Sequence, residues 1–410
     1  MKRKDIFYWL SRIQSLQNPS PPSTPVDIDQ SHQTKRRKMS GSGTSTPRKR
    51  SRNFVDDDAA SLLSNLSDRT RFEPSVQSSS ATSRQRSPAR DLLNELPLSS
   101  PPIHCFRPKS IPLPKPVLSL RQRLGRNLGV KLIPIQLKDK IAAEAPEEAL
   151  EIPDTAFDDT INYTSDQLDI LWQDMSEIYH EAAECEEYGQ DENAWCSGVI
   201  QMILQKGIKR HTILQLKNVQ SQTIDPNLLP RMRDKHPVSK KVDYTFAFSI
   251  REPQVTETYD HFLIASPHQT LSQTTDPFTK RVALFSGVEV KQSNGGGTEA
   301  LVQLAIWLAA GLEKSSKLHN LRGDKSGNLE LLPNIGWTVI GHDWNLYIAF
   351  RGLFEGQDRI YVDGPIESLG ASTRTYYGIF KLVDLVQRLS EYARDVYWPW
   401  MRSEILNPPS

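Results

Sequence analysis

Lys241-Val242-Asp243-Tyr244-Thr245-Phe246-Ala247-Phe248 and Gly287-Val288-Glu289-Val290-Lys291 are two apolar stretches that each carry an acid. Both alternate in the manner of β-strands. On a strand, Glu289 and Lys291 leave one face, while Val288 and Val290 point the other way into a core. Asp243 opens the first stretch, ahead of an apolar run. A carboxylate and an ammonium at the end of an apolar strand are costly to bury unless they serve each other or a metal. The plainer alternatives are a strand-end ion pair for Glu289 and Lys291, and a turn-edge carboxylate for Asp243. Together, Asp243, Glu289 and the Val290 carbonyl offer the hard oxygen ligands that Mg²⁺ prefers. Glu192 falls in the first turn of a predicted helix, where an acid also suits the positive helix end without any further role.

On either side of these stretches and including them, strands are predicted at 212–216, 242–249, 282–291, 336–341, 346–350 and 360–362. Helices are predicted from Ser165, read as an N-cap, to about Gly189, then at 191–205, at 298–314 behind Thr298 as N-cap, and at 373–396. The helix after Thr298 is apolar on most sides, as expected where it covers a sheet. Helices alternating with short strands predict an α/β domain spanning 161–410. The 46-residue gap from Asp243 to Glu289 is long for a hairpin, so a polar insertion near 252–280 is expected to loop out beside the site. His342 and Asp343 read as a turn between strands, and Trp398-Pro399-Trp400 as a core clamp.

Asp243 followed by Glu289-Val290-Lys291 resembles the PD-(D/E)XK signature of the restriction-endonuclease-like superfamily. Gln303 and Trp307 on the next helix resemble the QxxxY element of its RecB-like branch, with Trp in place of Tyr. Residues from about 165 to 405 are similar to the fungal PD-(D/E)XK nuclease-like domain family. The resemblance rests on six blocks: Glu192-Asn193-Ala194-Trp195, Lys241–Tyr244, Gly287–Lys291, Val302–Trp307, Gly341-His342-Asp343-Trp344 and Val396–Trp400. Val242 stands where the motif name has proline. The resemblance implies a mixed sheet flanked by helices with an αβββαβ core. It also implies catalytic roles for Asp243, Glu289, Lys291, Gln303 and Glu192, with Mg²⁺ or Mn²⁺ held by Asp243 and Glu289. The expected chemistry is phosphodiester hydrolysis of nucleic acid, DNA first. The competing reading is a catalytically inactive relative that binds nucleic acid or protein.

The rest of the chain has a different character. Only 37% of residues are apolar and the mean hydropathy is −0.51, a deficit concentrated in the Ser-, Pro- and Arg-rich N-terminal part. Residues 1–160 are therefore expected to be a mostly disordered arm ending in an acidic segment, with short helices near Arg90–Leu96 and Leu118–Leu124, where Leu recurs at helical spacing. Residues 1–140 carry 26 Lys and Arg against 11 Asp and Glu, whereas residues 141–192 carry 17 acids and no Lys or Arg. Lys35–Lys38 and Arg48–Arg50 resemble a bipartite import signal, which predicts an import receptor as partner and a nuclear location. No apolar run is long enough to span a membrane. Cys105, Cys185 and Cys196 form no CxxC pair, which predicts reduced thiols and no structural zinc. Oligomeric state leaves no trace in the sequence.

Overall fold

The computed structural model describes residues 87–209, 212–232, 238–321 and 330–406. Ten strands occur among them. β1 is Ile103–His104, β2 Ile133–Pro134, β3 Phe157–Asp158, β4 Leu214–Asn218 and β5 Tyr244–Phe248. β6 is Ser286–Lys291, β7 Asn334–Ile340, β8 Asp343–Phe354, β9 Gln357–Asp363 and β10 Ala371–Ser372. Eight of them form one mixed sheet in the order β1-β9-β8-β7-β6-β5-β4, with β10 on β8; β2 and β3 pair separately. β5 is buried along its whole length and β6 nearly so, which is why both read as apolar runs and sit inside the sheet.

The expected αβββαβ core is present. A helical run from Glu192 to Ile208 leads into β4, β5 and β6, which pair antiparallel. The helix Gly297–Asn320 then crosses to β7, which lies parallel to β6. That helix approaches closely because two strand positions lack a Cβ. A methyl on Gly287 would lie 2.7 Å from Trp307 Cδ1, and one on Gly336 would lie 2.6 Å from Leu304 Cδ1. Trp307 is fully buried and donates its indole N–H to the Ser286 carbonyl at 2.8 Å. Tyr244 pairs with Val288 and so turns to the other face, where its hydroxyl donates to the Cys196 carbonyl at 3.1 Å. The Glu192 helix covers that face.

Several sequence expectations need correction. The folded part does not begin near residue 160. Helices Pro88–Glu95, Lys115–Gly125, Lys138–Glu144 and Pro146–Glu151 precede it, and Leu96, Ile103, Val117, Leu120, Leu124, Ile133 and Ile141 have no solvent exposure. β1 extends the central sheet by pairing parallel with β9. Arg107 and Arg121 both bond Asp363, at 3.0 and 3.2 Å. The acid-only tract 141–192 is mostly helical and part of this unit. The helix Pro88–Glu95 packs on Gly297–Asn320, which explains why that helix is apolar on most sides: it is covered both by the sheet and from behind. The Ser165–Glu187 helix is capped by Thr164, whose side chain accepts the Gln167 N–H while Gln167 accepts the Thr164 N–H. Thr298 lies inside its helix, whose N-cap is Gly296.

The insertion between β5 and β6 does not flank Asp243 and Glu289. The two strands are antiparallel, so the connection leaves β5 at Phe248 and enters β6 at Ser286, the ends farthest from those acids. It carries the helix Pro253–Ala265, where the Tyr259 hydroxyl bonds the Phe248 carbonyl and the Ala283 N–H. Trp398 packs on Phe248 and Tyr259 there, as a core clamp. The clusters Lys35–Lys38 and Arg48–Arg50 lie outside the described residues. Among the described residues no helix is long and apolar enough to cross a membrane.

Candidate metal centre

The site forms where β5 begins and β6 ends. Asp243 donates its backbone N–H to the Val288 carbonyl at 2.9 Å. Its carboxylate accepts the Val290 N–H on Oδ2 at 2.7 Å and the Gln220 side-chain amide on Oδ1 at 2.9 Å. Glu289 and Lys291, on one face as the pleat requires, form an ion pair at 2.7 Å. Lys291 also reaches Glu192 at 3.1 Å.

Glu192 arrives from the opposite side of the sheet. Asp191 caps its helix by accepting the Ala194 N–H at 3.1 Å. The run then passes through a π-helical turn, Trp195–Ile200, before continuing as Gln201–Ile208. That extra residue lets Trp195, Cys196, Val199 and Ile200 all bury, anchoring the helix start from which Glu192 projects. One carboxylate oxygen each from Glu192, Asp243 and Glu289 lies within 4.8 Å of the others. Asp243 is 5% exposed and Glu289 1%, whereas the Glu192 side chain retains 39% exposure.

Three carboxylates here face one ammonium, and burial dominates their ionisation. Desolvation raises the carboxyl pKa of Asp243, against hydrogen bonds from Val290 and Gln220 that lower it. Desolvation, then the neighbouring Asp243, pushes Glu289 well above the usual carboxylate range. Burial also raises Glu192, partly offset by Lys291. For Lys291 burial favours loss of the proton, but Glu289 and Glu192 more than reverse this, and the ammonium is held. A cluster short of positive charge, built of hard oxygen donors, fits a divalent cation.

The structure therefore brings Asp243, Glu289, Lys291 and Glu192 together. Gln303 stands beside this group: its Nε2 donates to the Lys241 carbonyl at 3.3 Å, and its Oε1 is buried without a hydrogen-bond partner. The Ser293–Gly297 link closes as a turn, with the Gly295 N–H on the Gln292 carbonyl at 2.7 Å. His342 is the expected turn residue between β7 and β8. It bonds Thr373 Oγ1 and Glu186 at 2.8 Å each, with Trp195 edge-on to its ring. Gln220 carried no signal in the sequence. An uncharged residue just past a strand gives no hint of an aspartate 23 positions later.

A family model described as the PD-(D/E)XK nuclease superfamily matches residues 141–398. No curated protein and no solved structure matches the chain significantly.

Proposed function

The chain belongs to the PD-(D/E)XK nuclease superfamily, and from that premise we propose that it is a Mg²⁺-dependent nuclease acting on nucleic acid, DNA first, in the nucleus. The observation that carries this reading is the convergence of Glu192, Asp243 and Glu289 beside Lys291. In the reaction a water oxygen bonds to phosphorus, the ester P–O bond breaks, and the leaving oxygen takes a proton from solvent. Mg²⁺ or Mn²⁺, held by Asp243 and Glu289, would neutralise the phosphoryl oxygens and make the attacking water more acidic. Lys291 keeps its proton between two carboxylates, so it contributes a fixed charge and N–H donors toward the negative charge that grows on phosphate. Glu192, the most exposed of the three acids and with a raised pKa, suits the role of accepting the water's proton. Gln303 helps to set the loop that leads into Asp243, through the Lys241 carbonyl.

One observation supports a second reading, a non-catalytic module that binds nucleic acid or protein. Residues 193–410 carry 24 Lys and Arg against 21 Asp and Glu, a weak excess for a surface that must hold a polyanion. The deciding experiment incubates the protein with duplex DNA, single-stranded DNA and RNA, in Mg²⁺ or Mn²⁺ and in chelator. Metal-dependent cleavage, reduced about 100-fold or more by Lys291→Ala, supports the nuclease. Metal binding with no cleavage of any substrate supports the module. The paired basic clusters at 35–38 and 48–50 support entry by way of an import receptor.

A further inference from the structure

We propose that Gln220 is a positioning residue for Asp243, and that Asn218 sets which end of its amide faces the carboxylate. Neither residue belongs to the D…ExK pattern. The inference rests on the metal reading of the Asp243 site.

The orientation follows from a donor that cannot be reversed. The Gln220 backbone N–H points at the Asn218 side chain, 3.1 Å from its Oδ1, so the oxygen end of that amide must face Gln220 N. The Asn218 Nδ2 end then donates to Gln220 Oε1 at 3.0 Å. With its oxygen engaged, Gln220 presents Nε2 to Asp243 Oδ1 at 2.9 Å, and the same nitrogen lies 3.5 Å from Cys196 Sγ. Asp243 Oδ2 is held at 2.7 Å by the Val290 N–H. A carboxylate oxygen can accept two hydrogen bonds, so each oxygen is fixed by one donor and retains capacity for a cation. Two donors to an ionised acid are strong, and they prevent the carboxylate from rotating. Asn218 is exposed at the end of β4, so it can be changed without opening the core.

The test is Mn²⁺ titration of the full chain by calorimetry, with metal-free melting measured beside it. In Asn218→Asp the new carboxylate still accepts the Gln220 backbone N–H but has nothing to donate. It draws Gln220 Nε2 to itself and turns Oε1 toward Asp243. Mn²⁺ binding should weaken about 10-fold or more at an unchanged metal-free melting temperature. The sign is diagnostic, because an added negative charge near a cation site would by itself tighten binding. Gln220→Leu should show a loss of the same size; if it fails to fold, Asn218→Asp decides alone. Wild-type binding with equal or tighter binding in Asn218→Asp overturns the positioning role and leaves the metal reading intact. A wild-type protein that binds no Mn²⁺ overturns the metal reading, and this role with it.

Discussion

Val290 donates its backbone N–H to the Asp243 carboxylate at 2.7 Å, one residue ahead of the lysine that neutralises Glu289. The acid at the start of β5 is thereby fixed to the strand that carries the other two charged groups. Loop flexibility cannot separate them without breaking the sheet. A site held by sheet register is preorganised, and it stores carboxylate repulsion that folding alone would not retain.

Asp243→Asn removes one of the crowded charges while keeping an oxygen to accept the Val290 N–H. Its metal-free melting temperature is expected to equal or exceed that of the wild type. Millimolar Mn²⁺ should raise the wild-type melting temperature, by about 2.7 kcal/mol of stabilisation at roughly 100 times Kd, and should leave the variant unmoved. Equal rises in both proteins would rule out Asp243 as a ligand.

The raised Glu289 pKa fixes the sign of a pH effect. The folded state binds a proton that the unfolded state has released, so this group's contribution is full below the ordinary glutamate range. It is lost as pH rises through the raised folded value. Without metal, wild-type stability should decline across that window more steeply than in Glu289→Gln. With Mn²⁺ the trend reverses, because metal binding requires the ionised form. Melting curves at a series of pH values, with chelator and with Mn²⁺, read both slopes; parallel slopes for the two proteins would contradict this.

A chain starting at residue 87 keeps every buried residue named above, whereas one starting at 151 loses eight side chains with no solvent exposure, Leu137 among them. At about 1.5–3 kcal/mol each, that loss is comparable to or larger than the about 5–15 kcal/mol that holds a domain together. The first should melt cooperatively, and the second should be insoluble or unfolded. Limited proteolysis should give a stable fragment beginning near residue 87; one beginning near 160 would refute the extended core.

Replacing Lys35–Lys38 and Arg48–Arg50 together by Ala should move a large fluorescent fusion out of the nucleus. Unchanged nuclear fluorescence would reject the import proposal.

The site was largely legible because strand pleat and burial cost act locally: Glu289 and Lys291 are two apart, and Asp243 precedes an apolar run. Their position relative to the insertion was misread: an acid at the start of one strand and an acid at the end of its antiparallel neighbour lie opposite the connecting loop, not beside it. In the stretch 88–158 the short helices near 90–96 and 118–124 were legible, but the burial of the stretch was not, for a physical reason. Its apolar residues are as frequent as in the chain as a whole, but Pro97, Pro101, Pro102, Pro108, Pro112 and Pro114 break them into short stretches, so no long run marks a core, yet many of them are buried. One clue pointed the right way. A helix apolar on most sides, as at Gly297–Asn320, needs a second cover besides the sheet. Gln220 was not legible, because its value lies in a partner brought near only by folding.

Asp243 and Glu289 are proposed to share a divalent cation. Crystals grown with Mn²⁺ and measured at the manganese absorption edge test it directly. The expected result is one strong anomalous peak bounded by Asp243 and Glu289, about 2.0–2.4 Å from their oxygens, with the Lys291–Glu289 ion pair loosened. A fully occupied Lys291–Glu289 pair with no anomalous peak between Asp243 and Glu289, at saturating Mn²⁺, would contradict it.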